Sequence, residues 1–418
     1  MTTILRRLAS SECGFVGPAP TTCAFELTLR GALDLTALND AFAQLRTTHP
    51  ALDAAVVDDA DGYAFVARGN SSAAAFTIDR VDALPDEYPP LVIDPTVALG
   101  RLHVESAGDR HRVTLGANHA LADGTYLLAL VAELWSRYSA LLRDDAVAAA
   151  PHDFPDSAQH ALNTARTGSD TGRERLADIR WYGAAPTGVT PGARLPEVAS
   201  LLFSPEVTAR FAAAAAGIGF NALLSGVLLC AERAGFVDDA PDEAIKVGAM
   251  TLVDLRHRVR PALAATDVTN FVGASFAAPE LTIAADPVHI GAAIADTVRA
   301  DLAAGLCLNV LSAAAPPGPG EPPVVLSNLG SIALDLPEEL VGERLRPVMS
   351  MDSTLLHVPP GPRLPSPSAT IFQACTFGGR LGIEAITLGG SASPVARAAV
   401  TERIGTLVNA AAQLAPVA

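Results

Sequence analysis

Lysine is almost missing from this chain. Of 29 basic residues one, Lys246, is lysine, which leaves no obvious Schiff-base amine and no Walker lysine. Positive charge is scarce altogether: 45 acidic residues bring the formal net charge to −16. A surface of that sign excludes general affinity for nucleic acid, whose phosphates reward a basic face. Cysteine is sparse too. Cys13, Cys23, Cys230, Cys307 and Cys375 are odd in number, scattered and without C-x-x-C spacing. That excludes a recognisable zinc site and argues against a disulfide framework, so free, buried thiols are expected. Long apolar runs are missing as well. No window holds the roughly 18 apolar residues of a membrane helix, and Met1–Ala9, with Arg6 and Arg7, leads into no apolar core. A cytoplasmic protein with no transmembrane segment is expected. Self-similarity at about 20–50 residues is lacking, which excludes a solenoid.

What is present is an α/β grammar written twice. At 418 residues the chain has length for two domains, and half of its residues are hydrophobic. Phe25–Leu29 reads as a strand, and Asp34 caps a helix through Thr47 with Leu38, Ala41, Phe42 and Leu45 on one face. Short strands follow at 54–57 and 63–67, around the turn Asp61-Gly62. Arg101–Ser106 and His111–Ala117 form a hairpin about Gly108-Asp109. After it Thr125–Leu142 is a helix with Leu127, Leu128, Val131, Leu134, Trp135, Tyr138 and Leu142 facing inward. Periodicity weakens from Asp144 to Ser200, with a helix expected around 173–182. It then restarts with a strand at 201–203, helices opened by Ser204 and Asn221, a strand at 245–253, and a hairpin over 370–386. Pro-rich stretches at 315–323 and 358–367 read as loops. The expected organisation is an N-terminal domain over 1–182, a linker over 183–197 and a C-terminal domain over 198–418.

Between the hairpin and its helix stands Asn118-His119-Ala120-Leu121-Ala122-Asp123-Gly124, a His-x-x-x-Asp-Gly pattern. Histidine is the side chain that takes and returns a proton near neutral pH. Period two brings His119 to the face of Val113, Leu115 and Ala117, and Asp123 sits where a helix N-cap belongs. The same residues also suit a core histidine bonded to a carbonyl, with Asp123 merely a cap. One His and one Asp supply too few ligands for zinc, so no metal site is expected. No G-x-S-x-G elbow is present, so a protein nucleophile is not expected. A lone base suffices where the substrate brings its own hydroxyl or amine, which points to direct transfer of an activated acyl group.

The His-x-x-x-Asp-Gly turn resembles the active-site motif of the condensation-domain and CoA-dependent acyltransferase superfamily. Within it the chain resembles the polyketide-associated acyltransferases, the phthiocerol/phthiodiolone dimycocerosyl transferase family. The resemblance runs through 6–9 (RRLA), 27–42, 118–124, 133–138 (ELWSRY), 203–221, 253–256 (VDLR), 269–274 (TNFVGA) and 300–305. It implies two chloramphenicol acetyltransferase-like α/β sandwich domains with an active-site channel between them. It implies His119 as general base, Asp123 as a structural residue held by Arg256, and Gly124 as a site of close approach. Asn270, Ser327 and Asn328 would line the substrate path, although all three also suit ordinary turns. One departure is Asn118, where many members carry a first histidine; it is expected to face the other side of the strand and to alter either support of the turn or the substrate channel.

The expected activity is O-acyl transfer of a fatty or polyketide acyl group from a thioester to a lipid alcohol or diol, with no covalent acyl-enzyme. The donor would be acyl-CoA or a phosphopantetheine-linked acyl carrier domain of a polyketide synthase, with no bound cofactor and a monomeric enzyme. Arg256, Arg258 and Arg260, and Arg344 with Arg346, are local basic clusters suited to CoA phosphates or an acidic carrier, or simply to solvent. Two other readings are a stand-alone amide-forming condensation enzyme and a non-catalytic carrier-docking domain.

Overall fold

The computed structural model describes residues 3–16, 20–68, 75–85, 91–145, 150–162, 170–177, 179, 197–236, 242–312, 324–351, 369–388 and 394–414. Of the expected linker, residues 183–196 lie outside the described residues, as do both Pro-rich stretches. The chain divides into two compact units that interleave along the sequence. The first comprises Met1–Ala165, Asp254–Phe271 and Ile332–Val358; the second comprises Arg166–Val253, Val272–Ser331 and Pro359–Ala418.

The first unit is built on a five-stranded sheet in the order Leu340–Met351, Thr21–Gly31, Arg110–Asn118, Gly100–Ala107, Phe76–Arg80. Its pairs are antiparallel except the last, which is parallel. Thr21–Gly31 is central because its register serves two neighbours: Leu27 faces Val113 on one side and Leu345 on the other. Arg110–Asn118 is buried on both faces beyond its first residue. Its apolar face carries Val113, Leu115 and Ala117. Its polar face is tolerated because Arg112 donates to Glu105 at 2.7 Å and lies 3.5 Å from Glu26, so the buried charges are paired.

Helices Leu35–Thr48 and Gly124–Leu142 pack against each other and the second lies on the sheet. Asp34 caps the first by accepting from Thr36 N and Ala37 N, which satisfies two of the free amides of the opening turn. Leu38, Phe42, Leu45, Leu127, Leu130, Leu134 and Trp135 are fully buried, each aliphatic side chain contributing about 1.5–3 kcal/mol. Leu142, expected to face inward, is exposed, because it ends the helix beyond the last turn that reaches the core.

The second unit holds a six-stranded sheet in the order Val272–Ala277, Ala249–Asp254, Val324–Ile332, Ala369–Phe377, Arg380–Leu388, Glu197–Leu202. Ser204 accepts from Val207 N to cap helix Pro205–Ala214. Helices Phe220–Glu232 and Pro287–Ala303 touch backbone to backbone. A Cβ on Gly226 would collide with the Pro287 carbonyl, and one on Gly291 with that of Ala222. Phe211, Leu223, Val227, Ile294, Phe372, Ile383 and Ile404 form the core around them. The strand expected over 245–253 is two pieces, because Ile245–Lys246 pairs with Glu280–Leu281 while Ala249–Asp254 pairs with Val324–Ile332, and Val247 N between them bonds to Pro279 O. Of the helix expected around 173–182, the described residues hold a short 3-10 turn, Arg173–Leu176, while 178 and 180–182 lie outside the described residues. No helix among the described residues is long and apolar enough to cross a membrane.

Candidate active site

Strand Arg110–Asn118 ends opposite Thr22, and the chain turns sharply there. Asn118 is fully buried and makes the turn. Its carbonyl accepts from Leu121 N at 2.9 Å and Ala122 N at 3.3 Å. Its side-chain Oδ1 accepts from Ala120 N at 3.0 Å, and its Nδ2 donates to Phe15 O at 3.2 Å. An asparagine can act at both ends because it carries a donor and an acceptor in one plane. The next amide, His119 N, donates to Thr21 O at 2.7 Å.

The turn aims the imidazole. His119 Nδ1 lies 2.9 Å from Ala122 O, and the ring stacks on Phe15 with centroids 4.2 Å apart and planes 30° from parallel. A carbonyl oxygen accepts and never donates, so Nδ1 carries the proton and Nε2 keeps the lone pair. Burial pushes the His119 pKa below its ordinary 6.5, opposed by the charge of Asp123 and by the hydrogen bond to the Ala122 carbonyl. The ring is therefore neutral at pH 7. The carbonyl bond expected of a plain core histidine is present, and it is the same bond that leaves the lone pair on Nε2.

Asp123 is saturated. Its Oδ1 accepts from Tyr126 N at 2.9 Å, capping helix Gly124–Leu142. Its Oδ2 accepts from Phe271 N at 2.8 Å and from Arg256 Nη2 at 2.9 Å. Arg256 is held in turn. It donates to Ala265 O at 3.1 Å, to Val268 O at 3.3 Å and to Asp254 Oδ1 at 3.1 Å. Asp123 and Arg256 are 2% and 1% exposed, so each neutralises the other where water cannot. Such burial withdraws Arg256 from the basic cluster expected at 256–260; Arg258 and Arg260 are exposed. Gly124 is the first residue of the helix and half-buried.

Asn270 donates from Nδ2 to the His119 carbonyl. Its Oδ1 is buried and has no hydrogen-bond partner among the described residues. His119, Asp123, Gly124, Asn118, Arg256 and Asn270 thus all belong to the first unit. Ser327 and Asn328 belong to the second, on strand Val324–Ile332. Asn328 donates to Asn221 Oδ1 and accepts from Gly330 N at 3.0 Å, where Gly330 has φ +77°. The Gly330 bond is local turn support, and the Asn221 bond ties the strand to helix Phe220–Glu232.

Sequence reasoning missed Phe15, which touches the turn from more than 100 residues away, whereas the 269–274 segment with Asn270 was reached through the resemblance. No local spacing carries such contacts. No cluster of three or more His, Cys, Asp or Glu side chains that could hold a metal occurs among the described residues.

The family model described as phthiocerol/phthiodiolone dimycocerosyl transferase C-terminus matches residues 192–386. A phthiocerol/phthiodiolone dimycocerosyl transferase of Mycobacterium tuberculosis is 29% identical over 342 residues, covering 77% of this chain and 80% of that protein. The solved structure of polyketide synthase associated protein 5 from Mycobacterium tuberculosis matches with a TM-score of 0.77 at 24% identity, covering 98% of this chain and 100% of that one. The first condensation domain of the calcium-dependent antibiotic synthetase matches with a TM-score of 0.66 at 16% identity, over 100% and 98% of the two chains. These matches show an acyltransferase with the fold of the condensation domains and acyltransferases. In sequence the chain is similar to the phthiocerol/phthiodiolone dimycocerosyl transferases, over residues 192–386 in the family model and over 77% of its length in the Mycobacterium tuberculosis protein.

Proposed function

We propose that this acyltransferase moves a fatty or polyketide acyl group from a thioester to the hydroxyl of a lipid alcohol or diol, with His119 as the general base. The observation that carries the reading is the bond from Nδ1 to Ala122 O, which leaves Nε2 as the lone-pair nitrogen of a neutral ring. Nε2 removes the acceptor's hydroxyl proton as that oxygen bonds to the thioester carbonyl carbon. The tetrahedral intermediate then expels the thiolate, which takes the proton back from Nε2. Ester and free thiol are the products, and no acyl group passes through the protein.

Asp123 keeps the turn in shape and does not exchange protons, because every bond it accepts is structural. Asn270 contributes the unpartnered Oδ1 as an acceptor for a substrate O–H or N–H. The donor is acyl-CoA or a phosphopantetheine-linked acyl carrier, the two sources of such a thioester. The relatives' name, a dimycocerosyl transferase of phthiocerol, supports a lipid acyl chain and an alcohol acceptor.

The test is mass-spectrometric identification of the product from palmitoyl-CoA with 1-octanol and octylamine in competition. Octyl palmitate as the main product, with the protein mass unchanged, is expected. Predominant amide identifies a condensation enzyme instead. An acylated protein, or thioester binding without turnover, overturns the mechanism.

A further inference from the structure

The histidine turn is gripped from outside by a segment that the mechanism does not use. Glu12 is fully buried and its carboxylate is crowded with donors. Oε2 accepts from Arg6 Nη1 at 2.8 Å and from Ala9 N at 2.7 Å. Oε1 accepts from Arg6 Nη2 at 2.7 Å and from the hydroxyl of Thr269, itself fully buried. Thr269 is also tied through its amide to Asp156 O at 2.9 Å. The two residues after Thr269 are the ones that hold the turn: Asn270 on the His119 carbonyl and Phe271 N on Asp123. Glu12 thus anchors the back of a three-residue clamp whose front closes on both ends of the motif.

Three residues beyond Glu12 the same segment reaches the imidazole itself. The Phe15 ring stacks on His119, while the Phe15 carbonyl accepts from Thr21 N at 3.0 Å and from Asn118 Nδ2 at 3.2 Å. Thr21 O in turn receives His119 N. One face of the ring is therefore walled by a residue whose backbone is fixed to the strand end and to the turn. A ring with a wall on one face and Nδ1 bonded to a carbonyl has little freedom to rotate or to change tautomer.

We propose that Arg6–Phe15 is a positioning element for His119, in which Glu12 sets the 269–271 clamp through Thr269 and Phe15 sets the plane of the imidazole. The inference rests on His119 being the base, but its first readout needs no substrate. Nitrogen-15 spectra of the histidine rings, with the His119 signals assigned by their loss in His119→Gln, report which ring nitrogen is protonated. Wild type and Thr269→Ser, which keeps the hydroxyl, show a single Nδ1-protonated form above the titration. Thr269→Val and Phe15→Leu show exchange-averaged nitrogens.

In transfer from palmitoyl-CoA to 1-octanol the same two variants lose kcat by about 10- to 100-fold, the effect of a small misplacement of a catalytic group, with KM little changed and Thr269→Ser close to wild type. Unchanged His119 nitrogens in folded Phe15→Leu, at a partly exposed position, overturn the proposal even if Thr269→Val does not fold. An equal defect in Thr269→Ser overturns it as well. Averaged nitrogens in the two variants combined with full activity in His119→Ala would instead sustain the positioning and remove the catalytic role.

Discussion

Two asparagine-bearing turns, at 118–124 in the first unit and at 328–330 in the second, are built in opposite ways. Asn118 is fully buried, and its turn is held by Phe15, Thr21, Asn270 and Phe271, drawn from distant parts of the chain. Asn328 is satisfied by Asn221 and by its own neighbour Gly330. One turn is buried and fixed by several long-range polar bonds and a buried ion pair; the other is more exposed and has a single long-range side-chain bond, to Asn221, beside the bond from its own Gly330. Chemistry that needs a side chain held to a fraction of an ångström belongs on the first kind, because there each rotamer is decided by several partners at once.

The comparison breaks most severely at Asp123. Asp123→Ala leaves the buried Arg256 guanidinium with the part-exposed Asp254 as its one anion among the described residues, uncaps the following helix and orphans Phe271 N, so unfolding free energy falls by about 3–5 kcal/mol. Urea unfolding of the variant measures it, and a loss under about 1 kcal/mol would show the pair to be ornamental. Asn328→Ala should change stability by no more than about 0.5 kcal/mol, because the hydrogen bonds it loses are exposed to water. A larger loss in the same titration would mean that the second turn is also a structural keystone and that the contrast is false.

Much of this was legible in the chain. Asp34 and Ser204 stand just before helical periodicity begins, and each caps as its position requires, because capping is settled within three residues. The motif was legible for the same reason, since a strand, a turn and a capped helix follow one another directly. Arg256 could be matched to Asp123 through family resemblance alone, as 133 residues separate them. Glu12, Phe15 and Thr269 left no trace in periodicity: the Glu12–Thr269 bond joins residues 257 positions apart, and Phe15 meets Asn118 from 103 positions away. Long-range threading likewise brings Leu340–Met351 beside Thr21–Gly31, a pairing that alternation cannot specify because any two-faced strand could take that edge.

The most direct test is the rate of transfer from palmitoyl-CoA to 1-octanol by wild type and His119→Ala, measured across pH. For wild type, kcat/KM is flat through pH 7 and falls only as pH drops through an apparent pKa below 6.5, because protonation of the buried ring removes the Nε2 lone pair. Folded His119→Ala is slower by about 10²–10⁴-fold and lacks that acid limb. A folded His119→Ala that transfers at the wild-type rate, or that keeps the same acid limb, contradicts the account.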